Sequence, residues 1–503
     1  MALSISSTLA NILICLGTLV MFLYFYFKRA YTYWNKYDLY VVPPVIPCGS
    51  VGGIINREES FGVTLSKIYR QVKEKGEKHA GLFVLLNPLY MPLDPLIIKN
   101  IFIRDFNSFT DHAIYYNEKD DPLSANVLTL EGDDWRRIRT KLTPTFTSGK
   151  MRKMFDTIWI CSDRLVNKFD NMIETKEPFG IGEILACYST DVIGCCVFGI
   201  ECNSCENPNS DFRTNGKRVF DTTRMDMIKK SFARNFPEVA RFLKIRVLPK
   251  EISDFFLKVV DENIKHRQVN NVKRNDLFQT LLELEKDQQD QIKKRNKITA
   301  ETFVFFSAGF ETSSVAMTFA LYELALNTNI QHKLRQEVLS ILQTHDEKLT
   351  YEALMEMEYL NKVIDETLRK YPPVALLVRK CVGDYKIENS NVVIKKGVKV
   401  IVSTLGIHSD PEYYPNPQKF DPDRFNSENK SKRPACTFLP FGEGPRNCIG
   451  LRFGLLLVKI GVVNVIKQFR FTLNPKTGIP RLDKHSLTYR FSDEIYLDFE
   501  RIQ

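Results

Sequence analysis

The chain has 503 residues, 44% of them hydrophobic, with 70 basic and 60 acidic side chains and a formal net charge of +10. This composition argues against a disordered protein and allows a large core. No Pro-, Ser- or Gly-rich linker follows residue 50 and no internal repeat is found, so we expect one domain at residues 51–503. Because no nucleic-acid recognition motif accompanies the basic excess, an anionic membrane surface or an acidic protein partner is favoured over nucleic acid.

The first predicted element is an apolar N-terminal helix. Residues 8–27 carry no charge and are followed by Lys28 and Arg29, and about 20 apolar residues span the hydrocarbon core of a bilayer. The positive residues follow the span, so residues 1–29 are predicted to be a transmembrane anchor with the remainder facing the cytosol. A cleaved signal peptide is the alternative, but no clear cleavage site follows. Residues 30–50 contain three prolines and predict a hinge.

Four cysteines lie close together in the sequence: Cys195, Cys196, Cys202 and Cys205. A Cys-x-x-Cys pair with two more thiols nearby could bind zinc. The first pair has the wrong spacing for two ligands of one tetrahedral site, and no histidine is close. We therefore prefer the interpretation that they are small buried side chains, reduced as expected in a cytosol-facing domain.

A long apolar segment, "FVFFSAGFETSSVAMTFALYELAL", predicts a helix buried through the centre of the domain. Its middle is unexpectedly polar, with Glu311 and Thr312 where leucine would pack better. The Thr312 hydroxyl could simply bond the carbonyl of Ala308, four residues earlier. If a ligand lies against the helix, the same side chains could form a short proton relay.

A second helical pair is Glu366 and Arg369, three residues apart in "VIDETLRKYPP". This spacing places both on one helical face. Such pairs are usually solvated salt bridges of little energetic value, so the spacing alone does not assign them a role.

The stretch "PFGEGPRNCIGLRFG", residues 440–454, frames one cysteine with glycines and continues into an apolar helical pattern. Gly444 and Gly450 permit close backbone approach to a ligand. A helix beginning just after Cys448 favours its thiolate, and Arg446 could pair with a carboxylate on the ligand. A thiolate, an arginine and the aromatic ring of Phe441 suit a haem with an axial cysteine; a buried structural cysteine is the alternative.

These residues resemble the haem-binding signature of the cytochrome P450 monooxygenases, Phe-x-x-Gly-x-Arg-x-Cys-x-Gly. The family's other motifs follow in the same order along this chain: Trp135 and Arg139 in "WRRIR", Ala308 to Ser313, Glu366 and Arg369, and Arg424 in "DPDRF". The resemblance covers essentially the whole chain. The run "NEKDDPLSANVLTLEGDDWRRIR" looks most like the insect detoxification branch.

The resemblance implies a mainly α fold with small β-sheets, in which haem b lies between the long central helix and the cysteine loop. Cys448 would be the axial iron ligand, beside Phe441 and Gly450. The residues implied to bind the haem propionates are Trp135, Arg139, Arg379 and Arg446. Glu366 would be a buried carboxylate held by Arg369 and Arg424.

Substrate walls are implied by analogy at seven positions: Phe303, Phe306, Ala308, Val374, Leu376, Leu377 and Leu487. For each of them, plain core packing is the alternative. His112 stands where insect relatives usually carry an arginine that reaches a propionate. If His112 does so, the anion should raise its pKa; an exposed loop histidine without a partner is the alternative.

The implied activity is membrane-anchored, haem-thiolate monooxygenation of lipophilic molecules at the endoplasmic reticulum, with Thr312 and Glu311 delivering protons. The implied electron donor is an NADPH-dependent flavoprotein reductase, and a small b-type cytochrome is a further candidate partner. Two alternatives stay open: a peroxide-rearranging isomerase on the same scaffold, and a haem sensor or carrier without turnover.

Overall fold

The computed structural model describes residues 2–52, 59–175, 179–221, 223–274, 276–484, 486 and 488–502. Helices make up most of it, as predicted. The α-helices run Ala2–Ala30, Phe61–Glu74, Pro95–Lys99, Gly132–Leu142, Ser148–Thr175, Ile181–Ile193, Asp211–Phe220, Arg224–Asn235, Pro237–Phe242, Lys250–Val269, Leu277–Leu284, Gln291–Leu326, Thr328–Thr344, Tyr351–Glu356, Glu358–Lys370, Thr404–His408, Ser427–Lys432 and Leu451–Gln468.

Short strands form three small sheets within the described part of the chain. The strands are β1 Tyr40–Val41, β2 His79–Val84, β3 Asn87–Pro92, β4 Phe179–Gly180, β5 Leu377–Lys380, β6 Tyr385–Lys386, β7 Val393–Ile394, β8 Lys399–Val402, β9 Phe469–Leu473 and β10 Tyr496–Arg501. The largest sheet has the order β1-β2-β3-β8-β5, with β1–β2 and β3–β8 parallel. The others are β4-β10-β9 and β6-β7, both antiparallel. The prediction of a mainly α fold with small sheets is confirmed.

Three described helices are long and apolar enough to cross a membrane. Two of them belong to the core, because 89% of the Ile181–Phe198 window and 67% of the Gln291–Leu326 window are buried. The third, Asn11–Ala30, has none of its window buried in the protein. Its large apolar side chains from Ile12 to Tyr26 are exposed on the protein, as expected of a segment that is buried in lipid.

The segment predicted as a hinge is partly built into the large sheet. Tyr40 and Val41 form β1 and pair with Ala80 and Gly81 of β2. Trp34 is fully buried and donates its indole N–H to the Leu82 carbonyl over 3.3 Å. The prolines follow β1, so they leave its backbone N–H groups available for pairing. Residues 31–50 thus pack on the body as well as linking it to the N-terminal helix.

The central helix, Gln291–Leu326, runs through the core and positions the site. The Asp290 side chain caps its start by accepting bonds from the N–H groups of Ile292 and Lys293, both at 3.0 Å. At its middle, Gly309 allows helix Ile181–Ile193 to pack closely, since a Cβ there would lie 2.5 Å from Ile193 Cδ1. A bulkier residue at this position would push the two helices apart.

The clustered cysteines are buried around the turn that follows helix Ile181–Ile193. Cys196 and Cys205 are each 3% exposed, and burial raises the pKa of both thiols. Asp191, which lies beside Cys205, accepts backbone bonds from Ser204 and Cys205. Among the residues that the structure describes, no group of three or more His, Cys, Asp or Glu side chains could hold a metal ion.

Candidate active site

A cavity of about 370 Å³, here called the thiol cavity, separates the central helix from the cysteine loop. Ala308 and Thr312 line it from the helix, and Phe441, Cys448 and Gly450 line it from the loop. The predicted placement of a ligand site between these two elements is therefore confirmed. Most of the other lining side chains are apolar, so the cavity suits a large, flat, lipophilic group.

Two glycines of the cysteine loop have different roles. Gly444 has φ +75° and lies against the Phe102 carbonyl, where a Cβ would overlap it. Gly450 has an ordinary φ of −86°, and a Cβ there would meet no protein atom within 4 Å. Gly444 is therefore required by the protein's own packing, whereas Gly450 leaves open space on the cavity side, where a ligand can approach the backbone.

The Cys448 thiol is exposed to the thiol cavity and lies just before helix Leu451–Gln468. Burial raises its pKa above the ordinary value, although the Gly450 N–H and Arg139 act in the opposite direction. The sequence predicted that the helix start would favour the thiolate. The protein surroundings alone do not achieve this, but a metal ion deprotonates a coordinating thiol outright.

Three arginines rim the thiol cavity without a salt bridge to any described carboxylate. Arg379 is 2% exposed, its Nη1 donates to the Val378 carbonyl over 2.9 Å, and its Nε has no partner among the residues that the structure describes. Burial, followed by the charge of Arg446, lowers the Arg379 pKa to about 9. Buried guanidinium groups with unused donors require an anion. The arrangement thus fits the two carboxylates of a haem.

Arg446 and Arg139 are held in place by neutral groups. Arg446 donates to the carbonyls of Thr110 and Leu130 over 2.8 and 2.6 Å, and its guanidinium lies 4.4 Å from the Trp135 ring centroid. Burial lowers its pKa to about 10. Arg139 Nη2 donates to Asn447 Oδ1 over 3.0 Å, next to Cys448. The structure therefore brings together all four residues predicted to bind propionates.

His112 lies inside this arginine cluster and lines the thiol cavity. Its Nδ1 is 3.0 Å from the Leu128 carbonyl and 3.4 Å from Arg446 Nε. Because the Leu128 carbonyl can only accept, Nδ1 must carry the proton. The contact of Nδ1 with Arg446 Nε therefore brings two donors together and is not a hydrogen bond. Burial, then Arg379 and Arg446, lower the His112 pKa well below its ordinary value. His112 is therefore not an exposed loop residue without a partner, and a raised pKa beside a haem propionate stays a prediction.

The polar centre of the central helix faces two directions. Thr312 lines the thiol cavity, and its Oγ1 donates to the Ala308 carbonyl over 2.6 Å. Glu311 points elsewhere, with its Oε1 accepting from Arg490 Nη1 over 2.8 Å and from Thr488 Oγ1 over 3.1 Å. Consecutive helical residues are rotated by about 100°, so the predicted pair does not share one pocket.

The same rotation corrects two predicted substrate contacts. Phe303 and Phe306 do not line the thiol cavity; their rings lie 5.1 and 5.3 Å from that of Phe256, inside an aromatic cluster. Val304 and Phe305 line it instead, one turn before Ala308. The segment is apolar on nearly every face, so no polar stripe indicates which face of the helix borders the cavity.

The other predicted wall residues divide as follows. Val374 and Leu377 line the thiol cavity, whereas Leu376 packs with the core around the large sheet. Leu487 lies outside the described residues. The wall also includes Val127, Leu128 and Phe146, which sequence reasoning missed because they lie in irregular or short 3-10 segments without a hydrophobic period.

Glu366 forms the predicted buried ion cluster. Its carboxylate accepts from Arg369 Nε and Nη2 over 2.6 and 2.8 Å and from the Asp421 N–H over 2.9 Å. Arg424 Nε lies 3.4 Å away and also binds two backbone carbonyls. Arg369 also donates from Nη1 to the His408 carbonyl and from Nη2 to the Pro417 carbonyl, both over 2.8 Å. The cluster joins helix Glu358–Lys370 to the segment before the cysteine loop.

In this site a cysteine loop faces the polar centre of a buried helix across the thiol cavity. Arginines without a described carboxylate partner line the rim of the cavity. Together these features define a haem-thiolate protein. Comparison with known proteins agrees with this class. The family model for Cytochrome P450 matches residues 43–497. The chain is 38% identical to Cytochrome P450 6A1 of Musca domestica over 98% of both chains. It is 40% identical to Probable cytochrome P450 6a13 of Drosophila melanogaster, over 93% of this chain and 94% of that one.

A more distant insect relative, Cytochrome P450 6k1 of Blattella germanica, is 36% identical over 94% of this chain and 93% of its own. The chain therefore belongs to the cytochrome P450 family, and its similarity to insect members agrees with the resemblance found in the sequence. It is a haem-dependent P450 monooxygenase.

Proposed function

We propose that this protein is a membrane-anchored P450 that inserts one oxygen atom of O2 into lipophilic small molecules, either xenobiotics or endogenous lipids and hormones. The observation that carries the proposal is the thiol cavity, with Cys448 on one wall and Thr312 on the other. Val304, Phe305 and Leu377 add apolar surface between them. Such walls bind ligands by excluding water, and they select for lipophilicity more than for a particular polar group.

In this proposal Cys448 Sγ is the iron ligand, and Arg139, Arg379 and Arg446 bind the haem propionates. Trp135 stacks on Arg446 and keeps that guanidinium in position. Gly450 leaves room for the flat ring. When bound, haem with a thiolate ligand supplies the cleavage of dioxygen; the protein's own tasks are to hold substrate, exclude water and deliver protons.

Thr312 is the proton-handling group proposed for the thiol cavity. Its hydroxyl hydrogen is used in the bond to Ala308, so its oxygen lone pairs remain for the cavity. They can accept a hydrogen bond from a bound water and hold it near the reacting centre. The bound water is then the proton donor, and it is held at the helix without a charge among the apolar walls.

Electrons are proposed to come from an NADPH-dependent flavoprotein reductase, with a small b-type cytochrome as a second candidate donor. Helix Gly132–Leu142 supports this, because it carries Trp135 and Arg139 at the site and exposes Arg136 and Lys141 to solvent. A basic surface so close to the haem site attracts an acidic partner and speeds its encounter.

The proposed location is the endoplasmic reticulum membrane, with the catalytic domain on the cytosolic face. The unburied apolar helix Asn11–Ala30 supports anchoring. The basic residues that end this helix, Lys28 and Arg29, support the orientation.

The test is the absorbance of the reduced, carbon-monoxide-bound protein, followed by oxygen uptake with NADPH and reductase. We expect the Soret band of a thiolate-ligated haem and oxygen uptake stimulated by lipophilic compounds. A thiolate band without oxygen uptake would indicate a sensor or carrier. Conversion of a lipid peroxide without reductase or oxygen would indicate an isomerase.

A further inference from the structure

Glu301 is a buried carboxyl on the central helix that the proposed mechanism does not use. Its side chain is 4% exposed and lies outside the set of residues that line the thiol cavity. Its Oε2 accepts a bond from the backbone N–H of Val127 over 3.3 Å. Val127 belongs to the irregular segment between the 3-10 turn Pro122–Ser124 and helix Gly132–Leu142. The bond therefore joins two elements that are 174 residues apart in the chain.

The two ends of this bond carry adjoining walls of the thiol cavity. Val127 and Leu128 line the cavity from the irregular segment, and Val304 and Phe305 line it from the central helix. Val304 and Phe305 follow Glu301 by three and four residues, which is about one helical turn. The bond to Glu301 therefore fixes the position of one wall relative to the other.

The next residue of the irregular segment is bonded on its other side. The Leu128 carbonyl accepts from Arg446 Nη2 over 3.2 Å and from His112 Nδ1 over 3.0 Å. Leu128 is thus tied to the arginines proposed to bind the haem propionates, and Val127 is tied to the central helix. A change at Glu301 should consequently free Val127 from the helix while the arginines keep their contacts.

The surroundings of Glu301 favour its uncharged form. Burial raises the pKa of Glu301 to about 8; the Val127 N–H opposes this shift, and the charge of Glu285 adds to it. Glu285 is itself paired with Lys297, 3.9 Å away, and no basic group in the described part of the chain forms an ion pair with Glu301. A buried carboxylate without a cation is costly, whereas a neutral carboxyl accepts the N–H bond readily.

The acidic groups on neighbouring elements have partners of their own. Helices Lys250–Val269 and Leu277–Leu284 and the turn Pro122–Ser124 all contact the central helix. Their pairings are Asp121 with the N–H groups of Val247 and Leu248, Asp261 with Arg295, and Asp276 with Arg267. The arginines of these pairs are therefore already neutralised, and ionisation of Glu301 leaves its charge to be stabilised by water.

We propose that Glu301 is the positioning residue that holds the wall formed by Val127 and Leu128 against the central helix, and that this wall sets how bulky a substrate the thiol cavity admits. The inference rests on the proposed monooxygenase function and deepens it by assigning size selection among lipophilic substrates. When Glu301 releases its proton to water, the carboxylate turns towards solvent and Val127 loses its acceptor. Because the pKa is raised, the wall is held below about pH 8 and is released as the pH rises through that value.

Two ligands of the haem iron that differ in bulk measure the position of the wall without turnover. Pyridine and para-phenylpyridine both bind through the ring nitrogen, shift the Soret band and stay uncharged in neutral and alkaline buffer. The ratio of their dissociation constants reports discrimination against the bulky ligand, because effects common to both ligands cancel.

The first measurement is this ratio at neutral pH in three variants. Glu301→Met removes the acceptor, so discrimination should fall by about twofold to tenfold, as expected for the loss of one hydrogen bond, with an unchanged thiolate spectrum. Glu301→Gln should restore the wild-type ratio, because its amide oxygen accepts the same N–H. Glu283→Gln is the control, since Glu283 is an exposed carboxylate on helix Leu277–Leu284; it should follow the wild type.

The second measurement is the same ratio across neutral and alkaline pH. In the wild type and in Glu283→Gln, discrimination should fall as the pH rises through about 8 and then level off. In Glu301→Gln it should stay constant, because an amide does not titrate in this range. A merely structural role for Glu301 would change stability but would not separate these pH profiles.

The inference is overturned if Glu301→Met keeps the wild-type ratio, or if the wild type and Glu301→Gln share one pH profile. The second comparison does not depend on the folding of Glu301→Met, because glutamine has nearly the shape of a neutral glutamate. Either result, obtained with an intact thiolate spectrum, leaves the proposed function standing. If the wild-type protein lacks the thiolate spectrum, the proposed function itself fails.

Discussion

At the scale of single residues, the site is defined by side chains whose bonding is incomplete within the protein. Arg379 is almost fully buried, its Nε donor has no partner within the described part of the chain, and burial and the nearby charge of Arg446 depress its pKa. A buried charged group is stable only if a partner offsets the free energy lost when the group is removed from water. We propose a haem propionate as that partner.

We therefore predict that Arg379→Met folds but loses haem faster. A charge-assisted hydrogen bond is worth about 1.5–3 kcal/mol, which corresponds to a loss rate about tenfold or more above that of the wild type. Transfer of haem to an excess of apo-acceptor measures the rate. Arg136→Met, which removes an exposed arginine bonded to Asn107, is the control and should behave as the wild type. Equal transfer rates for all three proteins would remove Arg379 from the haem site.

At the scale of elements, His408 links the ion-cluster helix to the segment that leads into the cysteine loop. His408 is fully buried; its Nδ1 donates to the Arg369 carbonyl over 3.0 Å, and its Nε2 accepts from the Leu439 N–H over 2.8 Å. Only the neutral ring can do both. Burial, then the charge of Arg369, lowers the His408 pKa to about 3.

This arrangement predicts a loss of stability in acid. The unfolded chain takes up a proton near pH 6.5 and the folded protein does not, so the stabilisation is complete above that pH and declines as pH falls towards 3. At pH 5 the loss attributable to His408 is about 2 kcal/mol. In His408→Gln, whose amide can make both bonds, the urea midpoint should fall less between pH 7 and pH 5. His266→Gln, at an exposed position, should follow the wild type; identical declines in all three proteins would contradict the prediction.

The central helix shows which parts of a site can be predicted from sequence. Sequence could predict the roles of Cys448, Glu366 and Arg369, because the residues that define each role lie nearby in the chain or within a motif of fixed spacing. The orientation of the central helix could not be predicted, because apolar residues occupy nearly all of its faces. Phe303 and Phe305 were therefore equally plausible as residues of the cavity wall. Nor could sequence show that Glu311 pairs with Arg490, which is 179 residues away.

At the scale of the whole molecule, the N-terminal helix is separable from the body. The large apolar side chains from Ile12 to Tyr26 are exposed on the protein, whereas Phe27 packs against Tyr31, with ring centroids 5.9 Å apart. Tyr31 in turn contacts Phe83 of the large sheet. The packed body thus begins near Phe27, and only the preceding part of the helix is left to lipid.

Deletion of residues 2–26 should accordingly give a folded haem protein that is released from membranes more easily than the full chain. The measurement is the fraction recovered in a high-salt wash, together with the reduced carbon-monoxide spectrum. A truncated protein that folds but stays in the membrane fraction would show that another surface anchors it. Loss of the spectrum would show that the deleted segment is part of the core.

The central claim is that Cys448 is the thiolate ligand of the haem, and the absorbance of reduced, carbon-monoxide-bound Cys448→Ser tests it most directly. A neutral hydroxyl is a poor ligand for a site built around a soft thiolate, so the variant should lose both the thiolate-type Soret band and NADPH-dependent monooxygenation. Cys436→Ser, at a buried cysteine outside the thiol cavity, should keep the band. A Cys448→Ser protein with the wild-type band and turnover would contradict the account.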